Sequence, residues 1–456
     1  MLTRRRAVLA VVGVASGVAL LLVFSRLLPP APGHPGAPTD PSAAVIDPIG
    51  GALIPPADPL PWATVTWRRV DDPLGVFGGN GRWPHRIDKI VSGPAGSIAT
   101  GRGAGRDEDG DWDAQLIWTS VEGTLWQRAI LEAGVPIGNT AEANALAAGP
   151  RGIVLLGGTC CRPEEKAAWF SADGSPWIRI PAAFGGMEGV MDVAAGPAGF
   201  AAVGAQFEEE RMRIWFSPDG RSWEPVGDGD GDLGAGRLTS VVWAGDGFVA
   251  AGVDTSAEHY DAAVWRSDDG RAWERVAAND PTIVGADDTE FDSLVAFAGG
   301  VFAAGRRNPV EERKECEELI GGAAIARVET SLSCGWGRTT LWVSKDGRRW
   351  RGGQPVAPAP GGAMPAGRPM DYHIVRAGGP GLVNVIQADD GLLVWVSADG
   401  LDWKPVTSRP PMPPKSTFSD LVIYGRHIVA VGEEWDPDAP NEVSRGVVWI
   451  GEAAPF

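Results

Sequence analysis

The 456-residue sequence predicts an all-β fold: a seven-bladed β-propeller of four-stranded antiparallel blades, behind an N-terminal apolar segment and a proline-rich tether. Three observations carry this. The pattern W-x-S-x-D-G-x-x-W, or a close variant, recurs from Trp118, Trp169, Trp215, Trp265, Trp342 and Trp395, at spacings of 51, 46, 50, 77 and 53 residues. Periods near ~50 mark propeller blades. Each copy follows two short apolar runs split by a tight glycine turn, as in LTSVVWAGDGFVAAG from Leu238 to Gly252, and this paired pattern occurs seven times. Gly (63) and Pro (38) are abundant, which suits a chain of many tight turns.

Residues 1–28 open the chain. Arg4, Arg5 and Arg6 precede an uncharged run from Ala7 to Ser25, closed by Arg26. At about 1.5 Å per residue a helix of that run spans about 28 Å, close to the ~30 Å hydrocarbon core. Positive charge ahead of it keeps the N-terminus in the cytoplasm. No A-x-A-like cleavage site follows Phe24, and no Cys stands near for lipid attachment. The expectation is an uncleaved signal anchor: a single-pass transmembrane helix at the cell membrane, with the rest of the chain extracytoplasmic. The alternative is a cleaved signal and a secreted protein. Residues 29–61, from Pro29 to Pro61, are dense in proline, which blocks helix and ladder hydrogen bonds. They read as an extended linker.

Residues 62–456 are the propeller. One repeat reads as strand, tight turn, strand, variable loop, strand, Asp-Gly turn, strand. The Asp-Gly pair is expected to make a two-residue hairpin turn with positive φ. The two Trp flanking it are expected to pack between neighbouring blades. The seventh copy, GVVWIGEAAPF, supplies a third strand with Trp449 and then ends. Its fourth strand is expected at the other end of the chain, where TVTWRRV (Thr64 to Val70) matches RAWERV (Arg271 to Val276) and Trp67 takes the second Trp position. Pairing these two ends leaves no strand edge open. The repeat accounts for 14 of the 20 Trp, so the motif is scaffold.

The motif S-x-D-G-x-x-W resembles the Asp-box, or BNR, repeat of the sialidase-like propeller superfamily. That family's usual form, S-x-D-x-G-x-x-W, is one residue longer in the turn, so the resemblance is to a divergent branch. It covers roughly residues 62–456. It implies a propeller whose Asp turns lie away from the functional face, and it says little about activity. A sialidase-like enzyme would carry an arginine cluster for a substrate carboxylate, a Tyr nucleophile with a Glu partner, and an acid Asp. Residues of these types here are Arg86, Arg237, Tyr372 and Glu290, each at the start of an innermost strand. Asp107, Asp109 and Asp111 are nearby acids. Bidentate arginine suits a carboxylate. Against an enzyme stand the lack of an aligned third arginine, a partial match (HRID, His85 to Asp88) in place of an R-I-P motif, and seven blades where those hydrolases have six. Five scattered His offer no triad and no H-E-x-x-H. No catalytic residue is therefore expected. A sialidase-like exo-glycosidase acting on an acidic sugar is the alternative.

Binding is the preferred expectation. In a meander blade the second-to-third-strand loops and the connections between blades share one face, and these are the segments that vary. The face is acidic: RDEDGDWD (Arg106 to Asp113), FEEER (Phe207 to Arg211) and EEWDPD (Glu433 to Asp438) are read as such loops, and DGDGD (Asp228 to Asp232) joins two blades. Alternating Asp around Gly offers oxygen ligands for Ca²⁺, but no run has the distal Glu of a full loop. Solvated acidic loops and no cofactor or metal are expected, with Ca²⁺ the alternative. Trp83, Trp112, Trp336 and Trp435 lie outside the repeat's needs and are the candidate binding residues. The net charge of −18 excludes a nucleic-acid partner, whose phosphates need a basic surface. A protein or glycan partner and a monomeric chain are expected. Blade five carries an insertion from Arg307 to Arg338 in which Cys316 and Cys334 are a candidate disulfide, permitted by export. Cys160 and Cys161 are adjacent, either a vicinal disulfide or free thiols. The spacings do not suit a zinc site.

Overall fold

The computed structural model describes residues 64–452 except 73, 79–84, 94–95, 108–109, 131–142, 160–161, 182–188, 207–209, 227–232, 258–259, 309, 311–337, 356–373, 379–380, 389–390, 407–415, 425–426 and 436–443. The expected anchor and linker lie outside these residues. Among those described, no helix is long and apolar enough to cross a membrane.

The strands form seven four-stranded antiparallel sheets. Six are meanders continuous in the chain, at 86–128, 143–181, 190–226, 236–276, 288–355 and 375–405, here blades 1 to 6. Blade 7 combines the three strands within 416–452 with Thr66–Arg69, which pairs antiparallel with Ser444–Glu452 and sets Trp67 opposite Gly451. The first strand of each blade touches the first strand of the next, blade 7 against blade 1 included. The hydrophobic core is correspondingly divided into seven clusters, one per seam. Strands that are apolar on both sides, such as FVAAGVD (Phe248–Asp254), need both sheet faces covered, and packing blade against blade covers them.

The repeat motif has a physical explanation at the turn between third and fourth strands. In blade 4, Asp269 Oδ1 accepts the backbone N–H groups of Arg271 and Ala272 at 2.8 and 3.1 Å. Ser267 Oγ accepts the N–H of Gly270 at 2.8 Å. Gly270 stands at φ +83°, which favours glycine, and its carbonyl accepts the Trp273 indole N–H at 2.8 Å. Ser267 and Trp273 thus each satisfy one backbone group and Asp269 two, around a glycine that takes the positive φ. Blade 6 repeats the set with Ser397, Asp399, Gly400 and Trp403. This corrects the expectation of a two-residue hairpin. Such a turn needs positive φ at both central residues, and Asp269 does not have it. The connection instead runs from Ser267 to Glu274, and the carboxylate caps it from inside. Burial pushes these turn carboxyls up, but the amide hydrogen bonds outweigh it and hold Asp219, Asp269, Asp346 and Asp399 below the usual carboxylate range.

The first Trp of each motif has a constant environment. It pairs across the sheet with a second-strand residue that itself pairs with an aliphatic residue of the first strand, as in Val241–Ala250–Trp265. The middle residue is Ala99, Leu155, Ala202, Ala250, Ala303 or Ala430 in six blades, and Asn384 in blade 6.

A bulge interrupts the first strand of six blades, between Ile87 and Lys89, Ala143 and Ala145, Val190 and Asp192, Leu238 and Ser240, Phe291 and Ser293, and Phe418 and Asp420. A bulge leaves backbone groups without ladder partners. The residue just after it repairs this across the seam. Asp192 Oδ2 accepts the N–H of Val241 at 3.0 Å, Ser240 Oγ that of Leu294 at 3.1 Å, and Asp420 Oδ2 that of Ile90 at 3.1 Å. The other oxygen of each aspartate accepts an N–H of its own strand: Asp192 takes Val193 N–H and Asp420 takes Leu421 N–H. These carboxylates stitch the blades around the axis.

Blade 1 departs from the sequence reading. Its second and third strands, Gly96–Asp107 and Gly110–Ser120, stay paired as far as Asp107 opposite Gly110. In blade 3 the same pairing stops at Gln206 opposite Arg211, in register with Gly103 opposite Ala114. The segment read as an acidic loop is therefore a hairpin arm four residues longer per strand, about 13 Å at ~3.3 Å per residue. Gly, Asp and Glu disfavour strands intrinsically, which hid it.

Candidate functional site

Antiparallel order puts the starts of the first strands, the second-to-third-strand connections and the links between blades on one face. Among the charged groups described there, two contain residues singled out from the sequence, at different seams.

The first lies between blades 4 and 5. Arg237 belongs to Gly236–Trp243 and Glu290 to Asp288–Phe297, each just before its strand's bulge. The bulge drives their carbonyls against the second strand, where a Cβ at Gly252 or Gly305 would collide with them. Glycine there lets the strands stay flush. Arg237 Nη2 lies 2.9 Å from Glu290 Oε2, and Arg306 Nε lies 3.1 Å from Glu290 Oε1. Arg306 also forks onto Asp292, at 3.0 Å (Nε–Oδ2) and 2.9 Å (Nη2–Oδ1). Arg237 is 3% exposed. Burial pushes the Glu290 carboxyl up, Asp292 adds to this, and the guanidiniums of Arg306 and Arg237 oppose it. The carboxylates outweigh burial at Arg306 and hold it charged. Two cations and two anions thus neutralise one another across the seam, an arrangement costly to break from one side.

The second group lies where blade 7 meets blade 1. Arg86 Nε sits 2.9 Å from Asp88 Oδ1. Burial pushes the Asp88 carboxyl above its ordinary value, against Arg86 and Arg102. Burial also raises Glu433, opposed by the Ser444 hydroxyl and by Arg86 and reinforced by Asp88. Beside it Glu434 takes Arg69 at 3.0 Å and Arg445 at 3.3 Å. Trp435 ends the strand His427–Trp435, half-buried, with its backbone opposite Ser444. The backbone of Trp112 stands in the extended arm of the adjacent blade 1, opposite Gly105.

Of the residues singled out from the sequence, Arg237 and Glu290 are brought into contact, while Arg86 belongs to the other group. Asp107 and Asp111 stand in the blade 1 arm. Tyr372, Trp83, Trp336, Asp109, Cys160, Cys161, Cys316 and Cys334 lie outside the described residues, as does the DGDGD run. Sequence reasoning missed Asp292 and Asp88. Both occupy the bulge position, directly after Phe291 and Ile87, so aligning the repeats would have paired them. Arg306 carried no such signal, and Glu433, read from the sequence as the start of an acidic loop, lies in the strand His427–Trp435. Among the described residues no group of three His, Cys, Asp or Glu is placed to hold a metal ion.

No family model and no curated protein matches this sequence. Solved structures match in shape. The orthorhombic crystal form of Pyrococcus horikoshii acylaminoacyl peptidase aligns with a TM-score of 0.45 at 8% identity, over 81% of this chain and 52% of that one. A GH32 beta-fructofuranosidase of Bombyx mori aligns at 0.27 and 11% identity, over 82% and 91%. A glycoside hydrolase from Parabacteroides distasonis, described as putative, aligns at 0.28 and 14%, over 60% and 93%. This chain spans about half the length of the peptidase structure. Similarity this low carries no argument about activity.

Proposed function

We propose that this chain is an extracytoplasmic, membrane-tethered propeller that binds a protein or glycan through the face of its long connections. In this reading the four-residue Ser-x-Asp-Gly turn is a shortened Asp-box, and Thr66–Arg69 closes the ring by completing blade 7. The observation that carries the reading is the burial of Arg237 on Glu290. A hydrolase of acidic sugars needs guanidiniums free to fork onto a substrate carboxylate, and this one is already spent on a seam. Supporting it, the arm of blade 1 projects about 13 Å beyond the hairpin of blade 3. It rises beside the blade that carries Trp435, so two surplus tryptophans belong to adjacent blades. The experiment is glycan-array and pull-down binding with the full chain, wild type against Trp435→Ala and Trp112→Ala. At a true hot spot, truncation costs about 1–2 kcal/mol or more in affinity. Unchanged binding in both variants would refute this placement of the site.

A further inference from the structure

The opposite end of the ring carries a second feature. There the residues just ahead of each blade's first turn surround an open cavity of about 290 Å³ on the axis, to which all seven blades contribute. Its walls are mostly aliphatic, with Val91, Val242, Leu294 and Val422 among them and Ser92 the one hydroxyl side chain. One wall is the indole of Trp243, fixed edge-on against Phe248 with ring centroids 4.9 Å apart. The lining holds a single charged side chain, Arg376.

The Arg376 site is built. Its Nη2 donates to Asp420 Oδ1 and its Nη1 to the carbonyl of Val375 at 2.8 Å. Asp420 is 5% exposed and is also held by the N–H groups of Ile90 and Leu421. The anion of this pair is therefore sunk in the wall. The Arg376 side chain remains 34% exposed, and three of the guanidinium's five N–H donors are not used by these two bonds. What the cavity presents is an apolar cup with one cationic point at its edge. A polyol would lose water from most of its hydroxyls against walls that offer few polar side chains, Ser92 and Arg376, to replace it. A ligand with an aliphatic body and one anionic head loses water only where it gains.

We propose that this cup binds a medium-chain aliphatic carboxylate, its tail on the Val, Leu and Ile walls and its head on Arg376. The site is separate from the long-connection face and does not depend on what that face binds.

The test is equilibrium dialysis of hexanoate, octanoate and decanoate against the full chain in nanodiscs, with Ala296→Trp as the background. Ala296 lines the cup, so an indole there fills it, and the variant's thermal melt reports whether it folds. Binding above that background should tighten about four-fold per added methylene until the cup is full. Octanoate should bind about ten-fold or more tighter than 1-octanol, because a charge-assisted hydrogen bond is lost with the alcohol. The double variant Arg376→Gln with Asp420→Asn keeps the wall neutral and should abolish that preference. Equal binding to folded Ala296→Trp, no binding at millimolar carboxylate, or equal affinity for octanol would each overturn the proposal.

Discussion

Asn384 is 0% exposed, and neither its side-chain nitrogen nor its oxygen has a hydrogen-bond partner among the described residues. It occupies the position taken by Ala in five blades and Leu155 in another, between an aliphatic first-strand residue and the third-strand Trp. An unpartnered buried polar group costs about 1–3 kcal/mol. Asn384→Leu removes that cost with a side chain of the same branching and heavy-atom count, and Leu155 beside Trp169 shows that the equivalent position of another blade takes it. The expected gain is about 2 kcal/mol. Asn384→Ala removes the same cost but leaves a void beside Trp395. At about 24 cal/mol per Å³, a void of roughly 40 Å³ returns about 1 kcal/mol, so the expected gain is about 1 kcal/mol. Urea unfolding followed by tryptophan fluorescence and by circular dichroism measures both, and agreement of the two probes licenses the free energies. A loss of more than about 1 kcal/mol in both variants would refute the reasoning, because it would mean the amide is satisfied and holds the blade 5 and 6 seam together.

Two further outcomes follow from the seam between blades 7 and 1. Deleting residues 62–70 removes Thr66–Arg69 and buried Val70, leaving Ser444–Glu452 with an open edge. Soluble yield should fall and the melt should drop by the equivalent of about 3 kcal/mol or more; a truncated protein that melts like the parent would contradict closure through this strand. His85, 1% exposed at the same seam, is held at a pKa of about 4 against an ordinary 6.5, by burial first and by the Arg128 charge second. Its folded value is depressed, so the unfolded chain takes up the proton first. The stability contributed by neutral His85 is complete above pH 6.5 and is lost as pH falls toward 4, by roughly 3 kcal/mol at ~1.4 kcal/mol per unit. Asp88, Asp192 and Glu433, raised by burial, act in the opposite sense. The readout is therefore the difference between wild type and His85→Leu across pH 7.5 to 4.5, and a pH-independent difference would exclude this role.

The blade count, the Trp positions and the four-strand meander were legible because a repeat writes them many times, so Trp118 or Trp395 could be read from its relatives. The partner of the C-terminal strand was legible for the same reason, since Trp67 matches the second Trp of the motif. The turn was misread because Asp-Gly implies a hairpin locally, whereas Ser267, Asp269 and Trp273 together build a longer capped connection. The blade 1 arm was missed because its residues are poor strand formers. The charged groups were half visible. Arg237 and Glu290 could be named from their place in the repeat. That they spend their charge on each other and on Arg306 follows from packing between blades, which no local pattern encodes.

The central claim is that the long-connection face binds and does not catalyse. Its most direct test is turnover of a fluorogenic sialoside by the full chain, beside the Tyr372→Phe variant. A phenol nucleophile has no substitute, so a sialidase-like enzyme would lose activity with that hydroxyl. The account predicts no turnover above buffer by either protein. Turnover by the wild type that Tyr372→Phe abolishes would contradict it.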